Sequence, residues 1–297
     1  MATLYEQINA NKTKSTLLVL IVLVVVIGIV ALYSYAVRGD FSLPIIAALL
    51  AIPSTLVGYF AGDKIALASN GAHVLPEQAA PDLHNLVENL AITAGIPKPK
   101  VYLINSPSLN AFATGRDPAH ASIAVTSGLV ESLERSELEG VLAHELSHVK
   151  NYDIRFGTFV AIFVGFIVIL SDLFLRTSLW GGVSRRDDRG SSQAGGIFAL
   201  VGLVLLVVAP LIVKLIQLAV SRQREYLADS SGALLTRYPE GLANALEKIS
   251  HSKPLATAGN ATAHLYIANP FKARSIAHLF ATHPPIEERI KRLRRVA

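Results

Sequence analysis

Two histidines and a glutamate form the pattern His–Glu–x–x–His at residues 144–148. His144 and His148 are four residues apart, so on a helix they stand one turn apart on one face and can bind the same metal ion. Glu145 would lie beside that ion, where it can take a proton from a water molecule. The pattern predicts a metal-dependent hydrolytic site.

So short a pattern also arises by chance, in which case the histidines would only form a polar helix face. Their neighbours argue against this alternative, because Val141, Leu142 and Leu146 are apolar and indicate a helix with a buried side. A catalytic zinc site needs about three protein ligands and an open position for water. Since the chain has no cysteine, the third ligand must be His, Asp or Glu.

Glu225 and Asp229 are the candidate carboxylates, again one helical turn apart. A carboxylate that binds the metal, with another that orients a ligating histidine, is a common arrangement in zinc sites. Two carboxylates at this spacing therefore strengthen the metal-site interpretation.

The elements that must position these residues are unusually apolar. Hydrophobic residues make up 52% of the 297 residues and charged residues 16%, whereas soluble domains are about 25% charged. This composition excludes intrinsic disorder, and the lack of cysteine excludes a disulfide scaffold. About 20 apolar residues span a bilayer as a helix. Four runs qualify: residues 17–37, 41–60, 156–175 and 197–220.

The predicted spans would bring the two halves of the site together. His148 lies about 12 Å before the third span along a helix, and Glu225 about 8 Å after the fourth. Antiparallel neighbouring helices would then carry these residues at similar heights above the membrane. Of the 27 Lys and Arg residues, two precede the first span, seven lie in 61–155 and twelve in 221–297. Because basic residues near spans prefer the cytoplasm, both termini and the site are expected there.

The predicted organisation has four parts. Residues 1–60 hold a tail and two transmembrane helices, and 61–155 form a cytoplasmic part with the histidine motif. Residues 156–220 hold two more transmembrane helices and an external loop at 176–196, and 221–297 form a second cytoplasmic part. Spacing and turn residues predict helices over 83–91 and 286–295 and strands at 100–104, 110–114 and 121–125. A capping-box pattern at Ser136 is expected to start the histidine helix.

Four motifs, in this order, resemble the membrane zinc metalloproteases similar to the heat-shock protease HtpX, which are relatives of the CAAX prenyl proteases. The motifs are 108–115 (SLNAFATG), 144–148 (HELSH), 224–229 (REYLAD) and 281–290 (ATHPPIEERI). The resemblance runs from the first span nearly to the C-terminus. It implies a mainly α membrane protein with four transmembrane helices and a cytoplasmic zincin-like α+β protease domain that carries a small sheet.

The resemblance also assigns roles to residues. His144, His148 and Glu225 would bind one Zn²⁺ per subunit, Glu145 would be the catalytic base, and Asp229 would orient a ligand. The activity implied is endopeptidase cleavage of misfolded or damaged membrane proteins at the cytoplasmic face of the cell (inner) membrane, as part of a stress response. The expected partners are those substrates and the lipid bilayer. The basic charge is attributed to topology and anionic lipid, and nucleic acid is not an expected partner.

Two expectations concern substrate handling. His283 is the candidate donor to the oxyanion, with Arg222 as a weaker alternative; otherwise His283 only enters the last helix ahead of Pro284. Residues 110–114, among them Asn110, Ala111 and Phe112, are expected to form an exposed edge strand that pairs an extended substrate by backbone hydrogen bonds. The alternative for this segment is a core strand.

Three other functions compete with the favoured one. A catalytically silent membrane scaffold with structural zinc would close all metal positions, whereas three ligands and a base favour catalysis. A CAAX-type prenyl-protein protease would have a larger transmembrane bundle than four spans. A transporter-like protein would carry several polar residues within its spans, but only Asp172 and Lys214 occur there.

Overall fold

Helices predominate in the described part of the chain, which comprises residues 42–162, 222–255, 261–270 and 283–296 and scattered positions between 13 and 31 of a computed structural model. The helices are α1 (Ser42–Ser69), α2 (Pro81–Ala94), α3 (Ser127–Ser132), α4 (Arg135–Lys150), α5 (Arg222–Thr236), α6 (Pro239–Ser250) and α7 (Ile286–Val296). Residues 153–162 are also helical. The strands are β1 (Ala72–Val74), β2 (Lys100–Ile104), β3 (Ala111–Gly115) and β4 (Ala121–Thr126).

The strands form one small mixed sheet in the order β1-β2-β4-β3. Strands β2 and β4 are parallel, with Tyr102 opposite Ala124, and β1 and β3 pair antiparallel at the two edges. The three predicted strands are confirmed to within one residue at either end. Since β3 is an edge strand, one row of its backbone groups faces away from the sheet.

The predicted helix over 83–91 is confirmed by α2, which ends at Gly95 in the left-handed conformation at φ 71°. The predicted histidine helix is present as α4, but the predicted capping box at Ser136 is wrong. Helix α4 begins at Arg135, and the Glu134 backbone N–H donates to Glu137 Oε2 at 2.8 Å. Glu137 is the third helical residue after Glu134. Glu134 is therefore the N-cap, the position that the pattern assigned to Ser136.

Helix α4 runs through the middle of the hydrophobic core. Its Val141, Leu142 and Leu146 have no exposure, and they pack with residues of the sheet, α2 and α6. Burying a side chain of this size contributes about 2–3 kcal/mol. Because α4 is enclosed on nearly every side, polar groups that it carries are also removed from water.

Two glycines allow the helices around α4 to approach closely. A Cβ at Gly140 would lie 2.6 Å from the Leu242 backbone N of α6. A Cβ at Gly232 would lie 3.0 Å from the His144 backbone N, so α5 rests directly on α4 at the first histidine. The absence of a side chain at Gly232 thus allows α5 to pack directly against the histidine motif.

Two predicted membrane spans overlap described residues. Helix α1 covers residues 42–60 and continues to Ser69, with Pro53 inside it, and the helical residues 153–162 include the start of the third span. Within the described ranges, no helix combines the length and the apolarity needed to cross a membrane. The first span apart from scattered positions, the remainder of the third, the fourth and the loop 176–196 lie outside the described residues.

Candidate active site

The two motif histidines face each other on consecutive turns of α4. Their rings meet edge to face at 4.8 Å between centroids, and His144 Nε2 lies 3.2 Å from His148 Nε2. The His144 side chain is 1% exposed and that of His148 is 16% exposed. One ring is therefore enclosed in the core, and the other lies at the wall of a cleft.

Glu225, on the first turn of α5, completes the group. Its Oε1 lies 3.5 Å from His148 Nε2 and its Oε2 lies 3.8 Å from His144 Nε2. One ligand atom from each of the three residues lies within 4.8 Å of the other two. The structure thus brings together the three residues that the sequence proposes as metal ligands.

Each histidine also faces a carboxylate on the side away from the other ring. His144 Nδ1 lies 3.0 Å from Asp229 Oδ1, and His148 Nδ1 donates to Asp153 Oδ2 at 3.1 Å. An Nδ1–H held by a carboxylate leaves Nε2 as the ring's lone-pair donor to a metal. The contact of Asp229 matches the expectation, whereas sequence analysis missed Asp153.

The arrangement fits a metal ion. With both Nδ1 atoms facing carboxylates, the two Nε2 atoms and the Glu225 carboxylate converge on one point, as the ligands of a single cation do. Among the described residues, Glu225 Oε2 is buried without a hydrogen-bond partner. Two imidazoles and a carboxylate are a donor set that suits Zn²⁺ and leaves room for a water molecule.

Electrostatics differ between the two histidines. Burial lowers the pKa of His144 to about 4, even though Asp229 opposes this, and keeps the ring neutral. Burial also acts to lower the pKa of His148, but the Asp153 hydrogen bond and the charge of Glu225 together raise it to about 9. Burial likewise opposes ionisation of Glu225, but His283 and His148 hold the pKa of its carboxyl at about 2. Metal binding at this site must therefore displace a proton from His148.

Glu145 points into the same cleft and is 2% exposed. Burial raises its pKa to about 7, and the Glu225 charge adds to this, although His148 acts in the opposite direction. Its carboxyl also forms a hydrogen bond with the backbone of Ala113 in β3, whereas Oε1 has no hydrogen-bond partner in the described part of the chain. A carboxyl with a pKa near neutrality is suited to accept and return a proton.

A buried arginine completes the site. Arg289 of α7 has no exposure and donates from Nε and Nη2 to the two oxygens of Asp229, at 2.9 and 2.7 Å, and from Nη1 to the Ile267 carbonyl at 2.8 Å. Sequence analysis quoted its motif but gave it no role. The available signal was spacing, because Arg289 lies three residues after Ile286 and four before Leu293, on the apolar face of the helix.

His283 also reaches the cleft, with Nε2 3.7 Å from Glu225 Oε2. Burial lowers the pKa of this ring, against the opposing charge of Glu225. The alternative donor, Arg222, is exposed and does not line the cleft. His283 therefore lines the cleft beside a proposed metal ligand, and it remains the candidate donor to the oxyanion.

The edge strand differs from the expectation in its exposure. Asn110, Ala111 and Phe112 are buried, because a chain segment around residue 267 covers them. Ile267 N–H donates to the Ala111 carbonyl at 2.9 Å, and Phe112 forms an isolated antiparallel bridge with Tyr266. Ala113 lies two residues after Ala111 on the same side of β3, and it lines the cleft beside the histidines. The cleft thus meets the sheet edge at Ala113 rather than at residues 110–112.

The chain is similar in sequence to known proteins over most of its length. The sequence profile of Peptidase family M48 matches residues 77–297. The protein named Protease HtpX homolog from Caldanaerobacter subterraneus subsp. tengcongensis is 47% identical over 294 residues, which cover 98% of this chain and 97% of the relative. The protein of the same name from Ligilactobacillus salivarius is 45% identical over 293 residues, covering 98% and 99%. The crystal structure of S. mikatae Ste24p is similar with a TM-score of 0.49 and 20% identity, over 96% of this chain and 66% of that one.

Proposed function

Since the chain belongs to peptidase family M48 and is a metalloprotease, we propose that it is a membrane-bound zinc endopeptidase that cleaves misfolded or damaged membrane proteins at the cytoplasmic face of the cell membrane. The observation that carries the proposal is the convergence of His144, His148 and Glu225 beside the buried carboxyl of Glu145 in one cleft. A structural zinc site would need a fourth protein ligand instead of a base.

The proposed mechanism divides the work between the metal and the chain. His144, His148 and Glu225 would hold the zinc ion. When bound, zinc supplies a Lewis acid that polarises the scissile carbonyl and lowers the pKa of water towards about 7. Glu145 takes the proton of the attacking water and returns it to the leaving amine. Burial keeps this carboxyl close to the pKa that both transfers require.

Substrate positioning is assigned to two further groups. Ala113 lines the cleft beside Glu145, and this is the point of β3 at which an extended peptide is proposed to meet the sheet. His283 is proposed to donate to the oxyanion that forms at the scissile carbonyl. Both groups lie beside the metal ligands in the same cleft, which is what a peptide bond held at the metal requires.

The membrane location rests on the apolar runs and on charge. Ile45, Leu49, Leu56 and Phe60 of α1 are each more than half exposed, and apolar patches of this kind mark membrane or protein contacts. The concentration of Lys and Arg in residues 61–155 and 221–297 supports a four-span topology with a cytoplasmic site.

Cleavage assays on the purified full-length chain test the activity. In detergent or vesicles, the protein should cleave an unfolded membrane protein, lose this activity with a chelator and recover it when Zn²⁺ is returned. The folded form of the same substrate should be cut much more slowly. A chain that holds one zinc ion but cleaves no unfolded substrate would contradict the proposal and favour a silent scaffold.

Single cysteines test the orientation in this otherwise cysteine-free chain. An impermeant thiol reagent added to intact cells should label Gly190→Cys, in the proposed external loop, and should not label Gly259→Cys, in the proposed cytoplasmic part. Equal or reversed labelling would exclude the proposed orientation and, with it, the cytoplasmic substrates.

A further inference from the structure

A carboxylate outside the four sequence motifs contacts the second motif histidine. Asp153 accepts from His148 Nδ1 through Oδ2 at 3.1 Å, and its other oxygen, Oδ1, lies 3.5 Å from Arg224 Nη1. We propose that Asp153, held by Arg224, is a positioning residue that fixes His148 as a metal ligand. This inference rests on the proposed zinc site, but it concerns what holds His148 in position and not which residues bind the metal.

The backbone shows that the contact depends on an irregular turn. On an uninterrupted helix, a residue five positions after His148 would point about 140° away from it. Helix α4 instead ends at Lys150, and Tyr152 adopts the left-handed conformation at φ 61°. A residue other than glycine rarely adopts this conformation, and strained positions of this kind concentrate at functional sites. The turn directs Asp153 back onto the His148 ring.

Arg224 ties this carboxylate to the second helix of the site. It directly precedes Glu225 in α5, and its guanidinium lies 5.1 Å from the centre of the Phe156 ring, one turn along from Asp153. The Asp153 and Arg224 side chains are 8% and 18% exposed. A nearby cation stabilises a carboxylate that is so little exposed, and the Arg224 guanidinium supplies one. The contact also links the histidine helix to the residue next to the third ligand.

The two motif histidines are thus held in the same way. His144 is held by Asp229 and Arg289, and His148 is held by Asp153 and Arg224. The first pair of charges is deeply buried, whereas the second lies at the wall of the cleft. His148 has the more exposed ring, so it has more freedom to turn if its carboxylate is lost.

A purely local role for Asp153 makes a different prediction. Asp153 begins the helical stretch 153–162, and an acidic side chain in the first turn stabilises a helix by itself. Serine also stabilises helix starts, but it is too short to reach His148. Asp153→Ser therefore tests the contact with His148 while a favourable helix start is kept, and Asp153→Asn tests the charge at nearly constant shape.

The experiment measures metal binding by the full-length protein in detergent. Zn²⁺ affinity is obtained by competition with a chromophoric chelator at fixed pH, and the visible absorption spectrum of the Co²⁺-loaded protein reports ligand geometry. Asp153→Ser and Asp153→Asn should weaken Zn²⁺ binding by about 10–100-fold and alter the Co²⁺ spectrum. The matched control is Asp117→Asn, which removes a carboxylate 2.7 Å from Nδ1 of the half-exposed His120 and should change neither readout.

Arg224 is tested in the same assay. Arg224→Met should weaken Zn²⁺ binding, and Arg224→Lys should restore part of the loss because a cation again faces Asp153. If both Asp153 variants bind Zn²⁺ like Asp117→Asn, the inference is wrong. It is equally wrong if they only lower the thermal unfolding midpoint of the metal-free protein. Failure of the proposed protease function would appear elsewhere, as a wild-type chain that binds Zn²⁺ normally and cleaves nothing.

Discussion

Arg289 donates to both oxygens of Asp229, at 2.9 and 2.7 Å, and neither side chain is more than 5% exposed. Burial opposes ionisation of Asp229, but the charge and hydrogen bonds of the guanidinium hold the pKa of its carboxyl well below the ordinary range. The carboxylate that faces His144 therefore stays charged inside the core. Helix α7, far along the chain, thereby becomes part of the candidate metal site.

Replacing Arg289 should damage the fold as well as the site. Arg289→Met leaves a buried carboxylate without its main counter-ion, and breaking a buried pair in this way costs about 3–5 kcal/mol. Unfolding of the metal-free protein by guanidinium chloride in detergent measures this loss of stability. The control is Arg294→Met in the same helix, which removes exposed ion pairs with Glu240 and Glu247 and should change stability little. Equal effects of the two substitutions would contradict the assigned role.

Glu145→Gln should separate metal binding from catalysis. The substitution keeps the size of the side chain and removes the base, so Zn²⁺ content should be unchanged while peptidase activity falls at least about 100-fold. Metal analysis and a peptide cleavage assay on the same preparation give both values. Glu139→Gln, on the same helix but outside the cleft, is the control and should retain activity. Near-normal turnover by Glu145→Gln would remove Glu145 from the mechanism.

The two carboxylates of α5 should behave differently. Glu225→Ala removes a proposed ligand, so dialysed protein should lose both zinc and activity. Asp229→Ala removes the group that orients His144, so metal affinity or activity should fall by about 10–100-fold. Zinc content after dialysis and chelator competition distinguish the two. Normal zinc binding by Glu225→Ala, together with zinc loss by Asp229→Ala, would show that the roles are reversed.

His264 should make the fold sensitive to acid. Burial lowers its pKa to about 4, from an ordinary value near 6.5, although its Nε2 donates to the Gly157 carbonyl. Because the unfolded chain binds the proton first, stability is full above about pH 6.5 and falls as the pH drops towards 4. The loss attributable to this residue is about 3 kcal/mol.

His264→Gln keeps a donor for the Gly157 carbonyl but cannot take up this proton. Unfolding free energies of the metal-free wild type and variant, measured between pH 7 and 4, should therefore converge as the pH falls or reverse their order. Parallel curves across this range would show that His264 does not contribute to acid sensitivity.

Local patterns in the sequence determined the elements and the central chemistry. Short runs bounded by turn residues located the three predicted strands. Helical spacing located α2, because that spacing follows directly from which side of a helix is buried. The four-residue spacing of His144 and His148, and of Glu225 and Asp229, placed each pair on one helix face. That Asp229 orients a ligating histidine was also predicted, since a charged partner behind a ligand is a recurrent chemical requirement.

Only the tertiary structure decided which distant groups complete the site. Asp153 lies five residues from His148, a spacing that points away on a helix, and it reaches the ring only because Tyr152 turns the chain. The spacing of Arg289 places it on the apolar face of its helix, but its pairing with Asp229 depends on how α7 packs against α5. The burial of residues 110–112 depends on the segment around Ile267, more than 150 positions later. Contacts of this kind leave no local period, because their geometry is set by packing between elements.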